Sequence, residues 1–293
     1  MLKHNIIRKS QSAEHSQILL TPKPNGKWRF CIDFRNLNNC SESMGWPIPN
    51  IEQMMRRIGS HKPKYFGVMD LTSSYYQAPI SESSITFTAF ITFMGVYEWL
   101  RAPMGPKGAT SYFQQTMATV VFAGLIYYIL EIYLDDIIVH GQTEEEFLLR
   151  LRIVFERLRK HRLTLNPSKC IFGAQKIEYT GHVLDHDGIS FARKKLDMVI
   201  NFRKPITQKE MKSFLGLATY FHSHIRNHSM IVRPLHVMVH DYKPRNKITW
   251  DSTTDTAFLE IQEAINNCPT LFYIDEKSPV FLHTDACDYG IVA

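Results

Sequence analysis

Ile132-Tyr133-Leu134-Asp135-Asp136-Ile137-Ile138-Val139 is the stretch on which the fold turns. Two adjacent carboxylates sit between apolar runs rich in β-branched and aromatic residues, the pattern of strands. Successive strand side chains point to opposite faces, so neighbouring aspartates cannot share one. A tight hairpin resolves the conflict, with Asp135 and Asp136 near the turn and the apolar flanks paired beneath. Two acids at a strand tip, above an apolar sheet, seat a hard cation that prefers oxygen ligands. The pair on its own fits a solvated turn better, since Asp is a common turn former. Taken alone, it leaves both readings open.

Composition narrows the field. A chain of 293 residues is long enough for more than one domain. Its 44% hydrophobic and 21% charged fractions are those of an ordinary globular protein. Thirty-four Lys+Arg against 28 Asp+Glu leave +6, which favours a polyanionic partner. Cysteines 31, 40, 170, 268 and 287 form no close pairs. That spacing supplies neither a zinc motif nor a disulfide framework, and a reducing interior is expected. No basic-then-apolar signal segment opens the chain. The longest apolar run, Val120 to Leu130, falls short of the roughly 20 residues a membrane helix needs. An intracellular protein without a membrane partner is the expectation.

Working outward from the hairpin, Thr143 with Glu146 predicts a capping box. The helix that follows carries Phe147, Leu151, Val154 and Leu158 on one face. Upstream, Ala109 to Leu130 is expected to be mostly helix, and Ser84 to Glu98 two strands around Met94-Gly95. Tyr65 to Leu71 is a buried strand containing Asp70, and Asn50 caps a helix from Ile51 to Ile58. Ile18 to Leu20 and Trp28 to Phe34 form a hairpin whose Thr21 to Lys27 loop, with Asn25-Gly26, carries Lys23 and Lys27. Residues 1–17 are expected to be a short helix and loop. Ile177 to Leu184 pairs with Gly188 to Phe191 over Asp185-His186-Asp187. Helices follow, near 193–202, from Thr207 with Glu210 to 225, at 230–240 and at 254–267. A last strand, Val280 to Thr284, ends at Asp285.

Asp70 and Asp135 lie 65 positions apart, from 70 to 135, yet each ends an apolar strand. If those strands are neighbours, three carboxylates converge and repel one another unless cations neutralise them. Mg²⁺ suits such donors and keeps positions open for substrate phosphates. Two ions can stabilise the attacking and leaving oxygens of an in-line displacement. Metal-dependent phosphoryl transfer is the reading.

Met69-Asp70-Leu71, Ser73-Ser74-Tyr75-Tyr76-Gln77 and Tyr133-Leu134-Asp135-Asp136 resemble the palm motifs of reverse transcriptases of gypsy-type long-terminal-repeat retrotransposons. Supporting segments stand in the family's order. They include Asn25 to Asn38, Tyr97 to Leu100, Ser111 to Gln114, Leu163 to Cys170, Tyr179 to Val183 and Ser213 to Ala218. The resemblance spans essentially the whole chain.

It implies an α+β right-hand polymerase with an RRM-like antiparallel palm. Fingers and palm would take 1–184, the thumb 185–250, a connection 251–279, and the first strand of a ribonuclease H-like domain 280–293. It implies an RNA- and DNA-templated DNA polymerase in which Asp70, Asp135 and Asp136 are catalytic and hold two Mg²⁺, with Mn²⁺ as substitute and the Leu71 carbonyl assisting. Lys23, Lys27 and Arg29 would meet the triphosphate of an incoming deoxynucleotide, where cations neutralise phosphate. Ser73, Ser74 and Tyr75 would line the nucleotide site, Tyr75 crowding a 2′-hydroxyl, and Gln114 would lie near the templating base. Tyr133, Tyr179, Thr180, Gly181 and His182 would position primer and template. The helices after 192 would hold duplex by backbone and shape.

Partners implied are an RNA/DNA primer–template, deoxynucleoside triphosphates and the rest of a Pol polyprotein. The location implied is cytoplasmic, in a virus-like particle, or nuclear. Asp285 resembles the first acid of ribonuclease H. That activity is not expected, because the chain stops at Ala293, and the chain reads as a slice of a longer polyprotein.

Three departures qualify the resemblance. Ser74 replaces the usual Gly, which predicts less backbone freedom after Asp70. Met104 to Thr110 differs from the commoner motif B loop, and Pro79 suits only an edge or bulge. His222, His224 and His228 read as thumb-surface histidines, since structural zinc wants four convergent ligands. A non-catalytic nucleic-acid-binding or scaffold fragment is the competing reading. A metal nuclease would share the acids but leave Tyr75 and the finger loop unexplained.

Overall fold

In the computed structural model, residues 1–22, 26, 28–273, 279, 285–287 and 290–292 are described. They fall into two compact units, Met1–Met54 with Pro63–Thr180, and Met55–Lys62 with Gly181–Ala293.

The first unit runs β1 (Ile7–Lys9), β2 (Ser16–Pro22), β3 (Trp28–Asp33), α1 (Arg35–Cys40), the start of α2 (Ile51–Ser60) and β4 (Tyr65–Asp70). It continues through α3 (Glu82–Ile85), β5 (Phe90–Thr92), β6 (Gly95–Trp99), α4 (Ala109–Thr116), β7 (Leu130–Tyr133) and β8 (Asp136–Gly141). It closes with α5 (Glu144–Lys160), β9 (Ile171–Ala174) and β10 (Ile177–Tyr179). One sheet has the order β1-β6-β5-β2-β3, and the sheet bearing the acids β7-β8-β4-β9.

The second sheet is antiparallel along β7, β8, β4 and β9. Its β7 and β8 flanks are packed dry: Leu130, Ile132, Ile137, Ile138 and Val139 are each at most 1% exposed. Leu130, Ile132, Ile137 and Val139 share a core with Met69, Leu71, Phe113 and Met117, and with the apolar face of α5, Phe147, Leu151, Val154 and Leu158. Full burial of such a side chain is worth roughly 1.5–3 kcal/mol. That sum exceeds the cost of one strained turn residue, about 1–3 kcal/mol, so the hairpin tolerates an awkward tip.

The second unit runs β11 (His182–Leu184), β12 (Gly188–Phe191), α6 (Arg193–Ile200), α7 (Gln208–Thr219), α8 (His228–Val237), α9 (Ser252–Asn266), β13 (Leu271–Phe272), β14 (Asp285–Cys287) and β15 (Gly290–Val292). The expected division between 185–250 and 251–279 falls within one hydrophobic cluster, in which Phe214 and Leu235 pack with Phe258 and Ile261.

Several expected elements differ. The start of the chain holds a short helix, Leu2–His4, as expected, but then a strand, Ile7–Lys9, paired with Tyr97–Trp99, because an existing edge gave these residues backbone partners. Ser84 to Thr88 is helical, and strand begins only at Phe90. The helix expected to Leu130 ends in a π-turn at Met117–Val121, where Arg157 Nη1 takes the freed carbonyls of Val121 and Ala123 at 3.1 and 3.2 Å. The 143–146 cap is half a box. Thr143 accepts from Glu146 N, but the Glu146 carboxylate turns to Gln142 N at 2.7 Å. Thr207 and Glu210 form the full box. His224 and His228 are buried, 7% and 8% exposed, so only His222 of the three lies on the surface. The strand expected over 280–284 lies outside the described residues; beyond it the backbone pairs Asp285–Cys287 with Gly290–Val292.

Candidate active site

Register brings the acids together. In the β4–β8 ladder Asp70 stands directly opposite Asp136, and in the β7–β8 hairpin Tyr133 stands opposite Asp136. Leu134 and Asp135 therefore form a two-residue turn. Directly opposed residues have Cβ atoms about 4.5–5.5 Å apart, so two chain segments far apart in sequence place carboxylates on one sheet edge. Asp135 adjoins them, its Oδ2 accepting from Ser74 Oγ at 3.4 Å.

The turn is strained and held. Leu134 takes φ 57°, a left-handed conformation costly for a branched-chain residue. Gln114, 2% exposed on α4, grips both sides of it. Its Oε1 accepts from Leu134 N at 2.8 Å, and its Nε2 donates to the Ile132 carbonyl at 3.4 Å. Tyr179, buried at 2% exposure, donates its hydroxyl to the Asp136 carbonyl at 3.0 Å. Burial, and secondarily the charge of Asp136, raises that phenol well above the ordinary range, so it remains a donor. Gln114 is thus placed as a strut for the acid hairpin.

The electrostatics follow from crowding. Burial first, then the charges of Asp135 and Asp70, push the Asp136 carboxyl up to about 6, with Lys169 pulling the other way. Lys169 Nζ lies 2.9 Å from Asp70 Oδ2. The lysine arrives because Asn166 N donates to the Asp70 carbonyl at 2.8 Å and Thr72 N to the Thr164 carbonyl at 3.0 Å. Leu71 makes an isolated bridge with Leu165 in the same seam. Lys169 was missed as a site residue, although it lies in a segment that carries the resemblance. Nothing in Asn166-Pro167-Ser168-Lys169 marks a lysine 99 positions away as the partner of Asp70.

Tyr75 is half-buried. Its ring stacks on Phe113 with centroids 5.0 Å apart, and its hydroxyl donates to Thr110 Oγ1 at 3.2 Å. Ser74 is buried, and the left-handed residue of this turn is Ser73, φ 48°, so the position where the family has Gly makes no demand for positive φ here. The unusual motif B loop is tied down. Asn38 Nδ2 donates to the Gly105 carbonyl at 3.0 Å, and Asn38 Oδ1 accepts from Lys107 N at 2.7 Å. Arg29 is exposed on β3, and Lys23 and Lys27 lie outside the described residues.

Tyr133 is half-buried at the end of β7. The chain leaves the first unit at Thr180, φ 50°, and enters the second at Gly181, φ 83°. A Cβ on Gly181 would meet Lys195 Cε at 3.0 Å and Tyr220 Oη at 3.3 Å, so glycine is needed there on both counts. The His182 ring packs against Phe191 and Tyr220 at 5.1 and 5.7 Å.

Among the described residues, one group offers metal-ligand atoms mutually within 4.8 Å, and it is Asp185, His186 and Asp187. These residues form the β11–β12 turn, and Asp185 Oδ1 already accepts from Asp187 N and Gly188 N at 3.1 and 3.2 Å. The Asp70, Asp135 and Asp136 oxygens are spread more widely than that. An apolar cavity of about 460 Å³ behind the motif B loop, lined by Met44, Ile80, Phe87, Pro103 and Tyr112 among others, holds no acid.

Residues 21–184 match the family described as reverse transcriptase (RNA-dependent DNA polymerase). The whole chain is 32% identical to the retrovirus-related Pol polyprotein of transposon opus and 33% identical to that of transposon 297, both of Drosophila melanogaster. It covers 30% and 28% of those proteins, so it spans less than a third of their length. Among solved structures, the foamy viral protease-reverse transcriptase with its double-stranded DNA is matched at TM-score 0.86 and 26% identity. That match covers 95% of this chain and 48% of the viral one. The same viral protein in complex with an RNA/DNA hybrid gives 0.79 and 25%, over 95% and 37%.

Proposed function

Because this chain belongs to the reverse transcriptase (RNA-dependent DNA polymerase) family, we propose that it extends a primer on an RNA or DNA template with deoxynucleotides. The observation that carries this reading is the register that sets Asp70 opposite Asp136 with Asp135 in the adjoining turn.

The donor set fits a hard divalent cation. It offers carboxylate oxygens that repel one another, a repulsion that adds to burial in holding Asp136 up to about 6 and that cations relieve. Asp70, Asp135, Asp136 and the Leu71 carbonyl are the groups that would hold Mg²⁺, or Mn²⁺ in its place. Such ions, when bound, stabilise the attacking and leaving oxygens of an in-line displacement.

The remaining work belongs to the chain's own residues. In the reaction the primer 3′-oxygen forms a bond to the α-phosphorus as the bond to the bridging oxygen of the β-phosphate breaks, releasing pyrophosphate. Gln114 and Tyr179 keep the acid hairpin from drifting, which matters because small misplacements cost large rate factors. The Tyr75 ring, backed by Phe113 and tethered to Thr110, forms a rigid wall against a 2′-hydroxyl. Arg29, with Lys23 and Lys27, supplies positive charge to the triphosphate. Thr180, Gly181 and His182 present the primer end, and the helices after 192 act as a thumb on the duplex. Double-stranded DNA and RNA/DNA hybrid, the partners of the viral neighbours, are the partner class we assign here.

Primer extension on an RNA template with Mg²⁺, given deoxy- and ribonucleotides in turn, tests the reading. The protein is expected to extend with deoxynucleotides and reject ribonucleotides, and Tyr75→Ala to admit ribonucleotides at least about tenfold better. A Tyr75→Ala protein that still excludes them removes the gate. Salt-sensitive binding to primer–template without extension replaces the polymerase by a nucleic-acid-binding role.

A further inference from the structure

Lys169 sits where the acids need a positive charge, and three features make it more than a surface ion pair. Its Nζ lies 2.9 Å from Asp70 Oδ2, on one of the carboxylates assigned to metal. The main chain that carries it is pinned to the end of β4, through Asn166 N on the Asp70 carbonyl and the Pro167–Lys169 turn that follows. Its side chain is 61% exposed against 16% for Asp70. The acid is therefore fixed by the sheet, while the lysine is free to swing into solvent. An ammonium on a flexible four-carbon stem is a movable point charge, unlike the planar fork of an arginine.

We propose that Lys169 is a tethered counter-cation: it neutralises Asp70 while the site is empty, leaves as divalent cations enter, and so sets the concentration of metal at which the site fills. The inference rests on the assignment of Asp70, Asp135 and Asp136 as metal ligands. A bound ion and the Lys169 ammonium compete for the same oxygen, so the free energy of the ion pair is subtracted from metal affinity. Exposed pairs contribute little, which keeps the competition weak enough for physiological Mg²⁺ to win. Without the lysine, the metal-free protein has three unneutralised acids on one edge; with it, that state is tolerable.

The test uses the whole chain without nucleotide or nucleic acid, with Mn²⁺ binding read by the paramagnetic signal of the free ion and by melting in EDTA and in Mn²⁺. Lys169→Met is expected to bind Mn²⁺ about two- to fivefold more tightly than wild type, the range that a weak ion pair allows. Its melting temperature is expected to fall in EDTA and to return to the wild-type value at saturating Mn²⁺. Lys169→Arg, whose fork grips a carboxylate more firmly, should bind Mn²⁺ no more tightly than wild type. Lys169→Gln keeps a polar side chain without the charge and should follow Lys169→Met. If both uncharged variants bind Mn²⁺ at wild-type strength or more weakly, the counter-cation role is overturned while the metal site stands. If wild type and Asp135→Asn bind Mn²⁺ identically, the metal assignment itself fails, and this inference fails with it.

Discussion

Two acid-bearing hairpin turns in this chain look alike on paper and differ in kind. Leu134-Asp135-Asp136 closes β7 and β8; Asp185-His186-Asp187 closes β11 and β12. The second has the tighter cluster of ligand atoms, yet it uses them on itself, with Asp185 Oδ1 accepting two backbone N–H groups of its own turn. His186 and Asp187 are exposed, and their 3.1 Å contact is a surface pair of little energetic consequence. In the first turn the backbone is satisfied from outside, by Gln114 and Tyr179, so the carboxylates stay available. A third acid then arrives on β4, with its own lysine. Proximity of acids does not make a site; what matters is whether their oxygens are spared from capping their own turn and their crowding maintained by the fold.

The sharpest way to break this comparison is to neutralise one acid in each turn. Asp135→Asn is expected to reduce primer extension by at least about a hundredfold, since even indirect metal-site contacts cost ten- to a hundredfold. Asp187→Asn should leave the rate within about twofold, because its exposed carboxylate makes a surface pair with His186. Equal losses in the two would erase the distinction.

Removing the outside support comes next. Gln114→Leu leaves the half-buried Leu134 N without its acceptor, at a cost of about 1–3 kcal/mol in urea unfolding. Loosening the hairpin should lower kcat by about tenfold or more while the KM for deoxynucleotide changes little. A rise in KM with kcat intact would instead return Gln114 to the nucleotide itself.

Acidity separates the turns further. The Asp136 carboxyl is raised from its ordinary 3.8 to about 6, so between those values the folded, metal-free state binds more protons than the unfolded one. Stability from this group is therefore present at low pH and lost as pH rises through about 6. Asp136→Asn should stabilise the metal-free protein at pH 7.5, on the order of 2 kcal/mol, and flatten its stability between pH 4 and 7. Melting curves across that range check it, and an unchanged slope would count against the crowding.

The smallest effect is expected at the self-satisfied turn. Asp185→Ala removes an acceptor from the N–H groups of exposed Asp187 and buried Gly188, a loss of about 1 kcal/mol in thermal unfolding without change in extension rate.

Much of the site was legible in residue order. Apolar flanks around an acid pair force a hairpin whatever the rest of the chain does, and β7 and β8 obey. The apolar face of α5 and the Thr207–Glu210 box are likewise local consequences of spacing. Gln114 shows where local reading stops. Its neighbours Tyr112 and Phe113 say only that a helix is amphipathic, and which groups a buried amide meets depends on a partner 20 positions on. Strand β1 was hidden for the same reason, since three residues become strand only when an edge such as β6 is offered to them.

Residue order thus determined the acids, the hairpin and the helix faces, because those follow from side-chain period and turn chemistry over a few residues. Tertiary structure alone decided that Asp70 stands opposite Asp136, that Gln114 and Tyr179 brace the turn, and that Lys169 lies on Asp70. Sheet register and packing are properties of surfaces meeting across long loops, and no local pattern encodes which surfaces meet.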